Sequence, residues 1–90
     1  MKNFKKLAKN FKALANERRL KILNFLLKEK KLTVGEISNK INLSFRSTSK
    51  HLKVLEGVGF VEWKQVETSV YYSASSGLPA EVVKLIKLAD

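Results

Sequence analysis

The sequence contains no cysteine, one proline, one histidine and only 8 acidic residues among its 90 positions. Without cysteine the chain has no disulfide framework, no thiolate metal site and no nucleophilic thiol, and nothing suggests secretion. Its apolar stretches, such as Leu26 and Leu27, are far shorter than the roughly 18 residues that cross a bilayer, and its lysine-studded start lacks the apolar core of a signal peptide. We therefore expect a soluble, cytoplasmic protein without membrane contact.

Patterns for catalysis and metal binding are also missing. There is no second histidine and no glycine-rich phosphate loop. A phosphate loop precedes a helix, whereas Gly57 and Gly59 follow the end of a predicted helix. A metal site needs several converging ligands, whereas His51 has no histidine or cysteine companion. We expect no enzyme activity, no cofactor and no metal.

Positive charge is what the chain has in excess. Its 18 Lys and Arg residues against 8 Asp and Glu give a formal net charge of +10. On so small a chain, this excess favours a polyanionic partner, with nucleic acid ranked first; an anionic membrane ranks second by charge alone and is not the expected partner. A basic surface that serves only solubility is the alternative. The length and the 44% hydrophobic content predict one domain over residues 1–90.

Two helices are predicted in the first third of the chain. Apolar residues at three- and four-residue steps indicate a helix over 3–15, and five lysines share its opposite face. These lysines are Lys2, Lys5, Lys6, Lys9 and Lys12. They fit a solvated face, a surface that faces DNA or a helix on a membrane surface. Asn16 caps a second helix over 17–28, which is apolar around more than half its circumference and therefore central.

The middle of the chain predicts a helix-turn-helix. Leu32 is predicted to begin a short strand, and the capping-box spacing of Thr33 and Glu36 opens a third helix over 34–40. Ser44 caps a fourth helix over 44–56. Two helices across a turn of about three residues form a helix-turn-helix.

A hairpin and a last helix complete the predicted fold. Alternating residues indicate strands over 60–64 and 69–73. Their tip, 65–68, has no glycine, which favours a longer or irregular turn over a tight one. Pro79 suits the first position of a final helix over 79–89. The fold class is mainly α with a small β-hairpin (α+β), in the order α-α-(short β)-α-α-β-β-α.

The fourth helix carries the predicted DNA-binding face. On a helical wheel, Thr48, Leu52 and Leu55 point inward, and basic and hydroxyl side chains point outward. Arg46 suits a guanine edge and Phe45 a thymine methyl, whereas an ordinary surface helix is the alternative. The predicted DNA-binding residues are Ser44, Phe45, Arg46, Ser47, Ser49, Lys50, His51 and Lys53 in this helix, with Lys64, Gln65 and Thr68 at the hairpin tip.

Several of these side chains also have structural interpretations. His51 flanks the inward face, where packing or hydrogen bonding is the favoured role and a phosphate contact the alternative. Trp63, Tyr71 and Tyr72 are predicted to be core or cross-strand residues, with stacking on unpaired bases as the alternative. Glu67 at the tip would repel phosphate.

Three segments together resemble the ArsR-type winged-helix transcriptional repressors over residues 11–73. They read FKALANERRLKILNFLL, SFRSTSKHLKVLEGVGFVE and VYYSAS. The resemblance implies a winged helix-turn-helix homodimer that places two recognition helices in successive major grooves of a pseudo-palindromic operator. It also implies that the terminal helices 3–15 and 79–89 form the dimer interface. The predicted interface residues are Phe4, Leu7, Phe11, Val82, Leu85, Ile86 and Ala89.

The chain departs from the family's metal sensors. The segment LTVGEI has Thr33 and Gly35 where the classical sensor carries two cysteines, and PAEVVKLIKLAD lacks the histidine of the other common site. The tip segment QVETSVYY also lacks the family's frequent glycine and arginine. The leading hypothesis is a sequence-specific dimeric DNA-binding repressor without a metal sensor that occludes a promoter. The alternatives are a sequence-indifferent architectural DNA binder and a winged helix that binds an acidic protein.

Overall fold

The computed structural model describes residues 3–90, which form five helices and one two-stranded hairpin. The elements are α1 (Phe4–Leu14), α2 (Glu17–Glu29), α3 (Val34–Ile41), α4 (Phe45–Gly57), β1 (Val61–Val66), β2 (Ser69–Ala74) and α5 (Ala80–Ala89). This order confirms the predicted α+β fold. The prediction that Lys2 joins the lysine face of α1 concerns a residue outside the described part of the chain.

The predicted caps define where the helices begin. The Asn16 side chain accepts a hydrogen bond from the Arg19 amide at 3.0 Å. At the start of α3 the Thr33 hydroxyl accepts from the Glu36 amide at 3.2 Å, and the Glu36 carboxylate accepts from the Thr33 amide at 2.8 Å. Both halves of the capping box are therefore present, and each pairs an amide that the helix itself leaves free.

Helix α2 lies at the centre of the fold, as its apolar circumference predicts. It packs against α1, α3, α4, α5 and β2. The buried core comprises Ile22, Leu23, Leu26, Leu32, Ile37, Leu52, Leu55, Phe60, Val61, Leu78 and Ile86. Because burying each large side chain contributes roughly 1.5–3 kcal/mol, this cluster holds α3, α4 and α5 against α2, and Leu14 of α1 packs against its edge.

The turn between α3 and α4 is three residues long, as predicted. Asn42 ends α3 with φ 54°, a left-handed conformation that asparagine tolerates better than most residues. The Leu43 amide then donates to the Ser38 carbonyl at 3.0 Å, and Ser44 caps α4. This geometry sets the angle between α3 and α4.

The hairpin is antiparallel, with Trp63 opposite Tyr72. The short strand predicted at Leu32 is a single bridge to Tyr72, in which the two backbone hydrogen bonds measure 3.0 and 2.7 Å. One residue pair thus supplies the backbone hydrogen bonds between the hairpin and the segment that joins α2 to α3.

The turn at the hairpin tip corrects the prediction of a longer or irregular connection. Val66 pairs with Ser69, which leaves only Glu67 and Thr68 in the turn. Glu67 adopts φ 57°, and the Gln65 side-chain amide donates to its carbonyl at 3.1 Å. A left-handed residue other than glycine costs roughly 1–2 kcal/mol, so continued strand pairing and this hydrogen bond outweigh that cost.

The start of α5 also differs from the prediction by one residue. Pro79 has extended backbone angles and occupies the N-cap position, rather than the first helical position. Its carbonyl accepts hydrogen bonds from the Val82 and Val83 amides at 3.0 and 3.1 Å. Pro79 therefore supplies the first hydrogen-bond acceptor of α5.

Replacing Glu67 by glycine is expected to stabilise the protein by about 0.5–1 kcal/mol, because glycine adopts positive φ without a Cβ penalty. The matched control is Thr68→Gly, since Thr68 is not a positive-φ residue and glycine there only adds freedom to the unfolded chain. Urea denaturation of both variants measures the change in the free energy of unfolding. Equal destabilisation by the two glycines would contradict the expected strain at Glu67.

Candidate nucleic-acid interface

Helix α4 has one face in the core. Thr48, Leu52 and Leu55 are completely buried, which confirms the predicted inward face. The Thr48 hydroxyl donates to the Ser44 carbonyl at 2.8 Å, so this buried polar group is paired within the helix. The orientation of α4 about its own axis is therefore fixed by packing.

The opposite face of α4 presents cations to solvent. Arg46, Lys50 and Lys53 are exposed, and none of them makes a salt bridge within residues 3–90. No acidic residue lies in the first turn, so the positive end of the helix dipole adds to the same field. This face can attract and hold an anionic backbone.

Uncharged side chains complete the outward face at the start of α4. Phe45 is 62% exposed and presents an apolar ring to solvent. Ser44 is exposed and caps the helix, whereas Ser47 and Ser49 are partly buried. The helix end thus combines hydroxyls and one apolar group with the cations.

His51 lies at the edge of this face and contacts another helix. Its Nδ1 atom is 3.3 Å from the Arg19 guanidinium of α2. Burial lowers the pKa of His51 below its ordinary value, and the charges of Arg19 and Arg18 lower it further. Hydrogen bonding, the favoured interpretation of this histidine, is what the structure shows. Arg19 is not among the predicted site residues, because its contact joins positions 32 residues apart and leaves no periodic pattern in the sequence.

The hairpin lies next to the C-terminal end of α4. The Trp63 indole donates to the Glu56 carboxylate of α4 at 3.1 Å, and the half-buried Tyr72 packs against the core. The Lys31 ammonium lies 5.1 Å from the centre of the Tyr71 ring. These contacts agree with the structural interpretation of the three aromatic residues.

The predicted tip residues remain accessible. Lys64, Gln65 and Thr68 are all exposed, but Glu67 is exposed beside them. Lys64 and Gln65 are consecutive in β1, so they point to opposite faces of the hairpin. Because of this alternation and the acidic neighbour, the tip is a weaker anion-binding surface than α4.

The terminal helices expose apolar side chains on one side of the molecule. Phe4 is 72% exposed and Leu85 66%, and Leu7, Phe11 and Ala89 are also exposed. Val82 is half-buried, whereas Ile86 is only 6% exposed and fills the core of its own protomer. Leu88, at 81%, is the most exposed large hydrophobic side chain on α5 and is not among the predicted residues, although it lies three positions after Leu85.

Some of these side chains, among them Phe11, Leu85 and Ala89, border an open groove between α1, α2 and α5. Its volume is about 890 Å³, and its walls are mostly apolar. Phe11 and Leu14 line it from α1, Leu20 from α2, and Val82 and Leu85 from α5. The face is therefore both apolar and concave.

Two further observations concern the described residues alone. No group of three or more His, Cys, Asp or Glu side chains between positions 3 and 90 is arranged to hold a metal ion. In the same part of the chain, every helix is too short or too polar to cross a membrane.

Helix α4, the second helix of the helix-turn-helix, presents its basic face outward beside the two-stranded hairpin, and this arrangement defines a winged helix-turn-helix domain. The family described as "Bacterial regulatory protein, arsR family" matches residues 16–62, just over half of the chain. The transcriptional activator HlyU of Vibrio cholerae serotype O1 is 41% identical over 87 residues, which cover 97% of this chain and 77% of HlyU. The chain belongs to the arsR family of bacterial regulatory proteins.

Solved structures agree with this assignment. The transcriptional repressor PagR of Bacillus anthracis is 30% identical, with a TM-score of 0.78 over 97% of this chain and 95% of PagR. The homodimeric winged helix-turn-helix DNA-binding domain Mb0332 of Mycobacterium bovis is 30% identical, with a TM-score of 0.77 over 96% of this chain and 76% of that one. Several other relatives are longer, and the matched segment spans about half of their length. The predicted family and winged-helix fold are confirmed.

Acidification is expected to destabilise the fold through His51. Its pKa is lowered in the folded state, so below about pH 6.5 the unfolded chain binds the proton first and stability falls as the pH decreases. Urea denaturation at about pH 7 and about pH 5 measures this loss, and the matched control is His51→Gln, which does not titrate there. The wild type should lose more stability than the variant. An equal loss in the two proteins would show that His51 titrates normally.

Proposed function

We propose that the protein is a sequence-specific double-stranded-DNA-binding regulator that acts as a homodimer and inserts α4 of each protomer into a major groove. The observation that carries this proposal is the exposed face of α4, where Arg46, Lys50 and Lys53 have no acidic partner within residues 3–90. The B-DNA major groove is wide enough for a helix. The proposal involves no chemical transformation and places the protein in the cytoplasm with the DNA.

The residues of α4 have different roles in this proposal. Arg46, in the first turn, suits bidentate hydrogen bonding to guanine, and Phe45 suits contact with a thymine methyl. Lys50 and Lys53 suit phosphates, which set position and affinity without reading sequence. The hydroxyls of the helix suit phosphate oxygens or base edges; they belong to Ser44, Ser47 and Ser49.

The hairpin is the wing of this fold, and its contacts are secondary in the proposal. Lys64, Gln65 and Thr68 are exposed at or near its tip and can meet a phosphate or the edge of a minor groove. Because Glu67 lies among them, we expect their contribution to be smaller than that of α4.

The homodimer rests on the exposed apolar face of α1 and α5. Phe4, Phe11, Leu85 and Leu88 lie uncovered in one protomer, and large exposed apolar patches on soluble proteins commonly mark interfaces. A two-fold dimer places its recognition helices about 34 Å apart, or a multiple of it, along one side of the duplex. This arrangement predicts a pseudo-palindromic operator.

Bound over a promoter, such a dimer represses by occluding it. PagR is described as a repressor, whereas HlyU is described as an activator. The interface proposed for this chain is compatible with either outcome, since the effect of a bound dimer on transcription depends on where the operator lies relative to the promoter.

The lysine face of α1 favours a second candidate function, that of a sequence-indifferent architectural DNA binder. Lys5, Lys6, Lys9 and Lys12 are all exposed on one helix. Lysine contacts to phosphate carry no sequence information. This candidate predicts tight, salt-sensitive binding without a preferred site.

Selection of binding sites from a randomised duplex library separates the two candidates. A two-fold-symmetric motif, preferred over random DNA by about a thousandfold or more at near-physiological salt, supports the regulator. Binding with a steep salt dependence and no motif supports the architectural protein.

Single substitutions on α4 test which side chains read bases and which bind phosphates. Arg46→Ala should cost about 1–3 kcal/mol on the selected site and relax the preference at one base position. Lys50→Ala should weaken binding to all duplexes and reduce the slope of log affinity against log salt by about 1. Lys87→Ala on α5 removes the same charge elsewhere and serves as the control. Equal losses on selected and random duplexes for Arg46→Ala would refute its base-reading role.

A charged substitution tests the proposed dimer interface. Leu85→Glu puts a carboxylate on the exposed face of α5 and should shift the protein from twice the 10.2 kDa chain mass to a monomer in sedimentation at micromolar concentration. Val66→Glu on the wing makes the same change at another exposed apolar residue and should leave the mass unchanged. A wild type that sediments as a monomer would refute the proposed dimer.

A further inference from the structure

One side chain connects three helices next to the proposed DNA-binding face. Arg19, on α2, donates from Nε to the Ala13 carbonyl at 2.6 Å and from Nη2 to the Lys12 carbonyl at 3.2 Å. Its Nη1 atom lies 3.3 Å from His51 Nδ1 on α4. The guanidinium therefore contacts the last turn of α1 and the outward edge of α4 at the same time.

The contacts with α1 complete the hydrogen bonding of that helix end. The last carbonyls of an α-helix lack partners within the helix. Here the Ala15 amide donates to the Phe11 carbonyl and the Asn16 amide to the Leu14 carbonyl, while Arg19 supplies donors for the two carbonyls between them. A cation at this end also matches the helix dipole.

The contact with α4 determines which ring nitrogen of His51 carries the proton. A guanidinium has donors and no acceptor, so Nδ1 must be the acceptor in this hydrogen bond. The neutral ring then holds its proton on Nε2. Within residues 3–90, Nε2 has no hydrogen-bond partner. A donor is thus left available beside Lys50, on a helix whose outward face is cationic.

We infer that Arg19 is a positioning residue for DNA binding, which fixes His51 as an Nε2–H donor to a DNA phosphate and ties α4 to the end of α1. This inference rests on the proposed function. It makes the placement of the recognition helix depend on α1, one of the two helices proposed for the dimer interface.

The charges around His51 support a neutral ring. Arg18 and Arg19 of α2 both act on it, and burial together with these two charges lowers its pKa. Arg18 is exposed and has no hydrogen bond to His51, so it supplies charge alone. Arg18→Gln is therefore a matched control for Arg19→Gln.

The first test uses the free protein and one histidine. Nitrogen NMR of the imidazole distinguishes the two neutral tautomers, and its assignment is unambiguous because His51 is the only histidine. We expect the Nε2–H tautomer in the wild type and in Arg18→Gln, and a mixture of tautomers in Arg19→Gln. An Nδ1–H tautomer in the wild type would overturn the inference.

The second test is a double-mutant cycle on the selected duplex. His51→Leu should raise the dissociation constant about tenfold, whereas His51→Gln, which keeps an acceptor and an outward donor, should change it less than about threefold. Arg19→Gln should weaken binding about tenfold when His51 is present and have little further effect in the His51→Leu background. Arg18→Gln should have the same effect in both backgrounds.

The outcomes separate this inference from the proposed function. An equal effect of Arg19→Gln in both backgrounds, in variants shown by circular dichroism to be folded, overturns the positioning role alone. If Arg19→Gln does not fold, Arg19→Lys takes its place in the same cycle. A wild type that binds no duplex at low salt overturns the proposed function and the phosphate contact together, while the NMR result still reports whether Arg19 fixes the ring.

Discussion

The packing of α4 against α2 is the contact on which the rest of the structure depends. Leu52 and Leu55 are fully buried in the cluster that contains Ile22, Leu23 and Leu26 of α2. This burial fixes the rotation of α4 about its axis, and the helical period then places Arg46 and the lysines outward. The proposed DNA-binding face is therefore a consequence of the core packing, which by itself orients these side chains.

The net positive charge of the chain opposes dimerisation. With a net charge of +10, each protomer repels a second copy, so a dimer has to gain more from apolar contact than it loses to this repulsion. On α1, the exposed apolar residues and the lysines lie on different sides of the helix. The surface available for apolar contact in a dimer is therefore separate from the surface that carries the repelling charge. DNA relieves the repulsion, since phosphates replace small anions around the cations. Dimer and duplex binding are therefore expected to support each other.

Local chemistry explains what was predictable from the sequence. Asn16, Thr33 and Ser44 act within three residues of their own position, and the inward face of α4 follows from a fixed period, so these features were all predicted. The Arg19–His51 contact was not, because it joins distant segments. The tight turn at Glu67 was not predicted either, since it results from pairing along the whole hairpin rather than from turn residues. Ile86 carries an apolar pattern that does not distinguish the core from an interface.

Because the hairpin turn has only two residues, the hairpin can lengthen only when residues are added to both strands. Adding one residue to each strand extends the hairpin by about 3.4 Å but exchanges the faces on which the tip side chains lie. Only an insertion of two residues in each strand, about 7 Å in all, returns Lys64 and its neighbours to their present side. The length of such a hairpin therefore changes in discrete increments if the tip side chains are to keep their faces, and intermediate lengths would require a bulge.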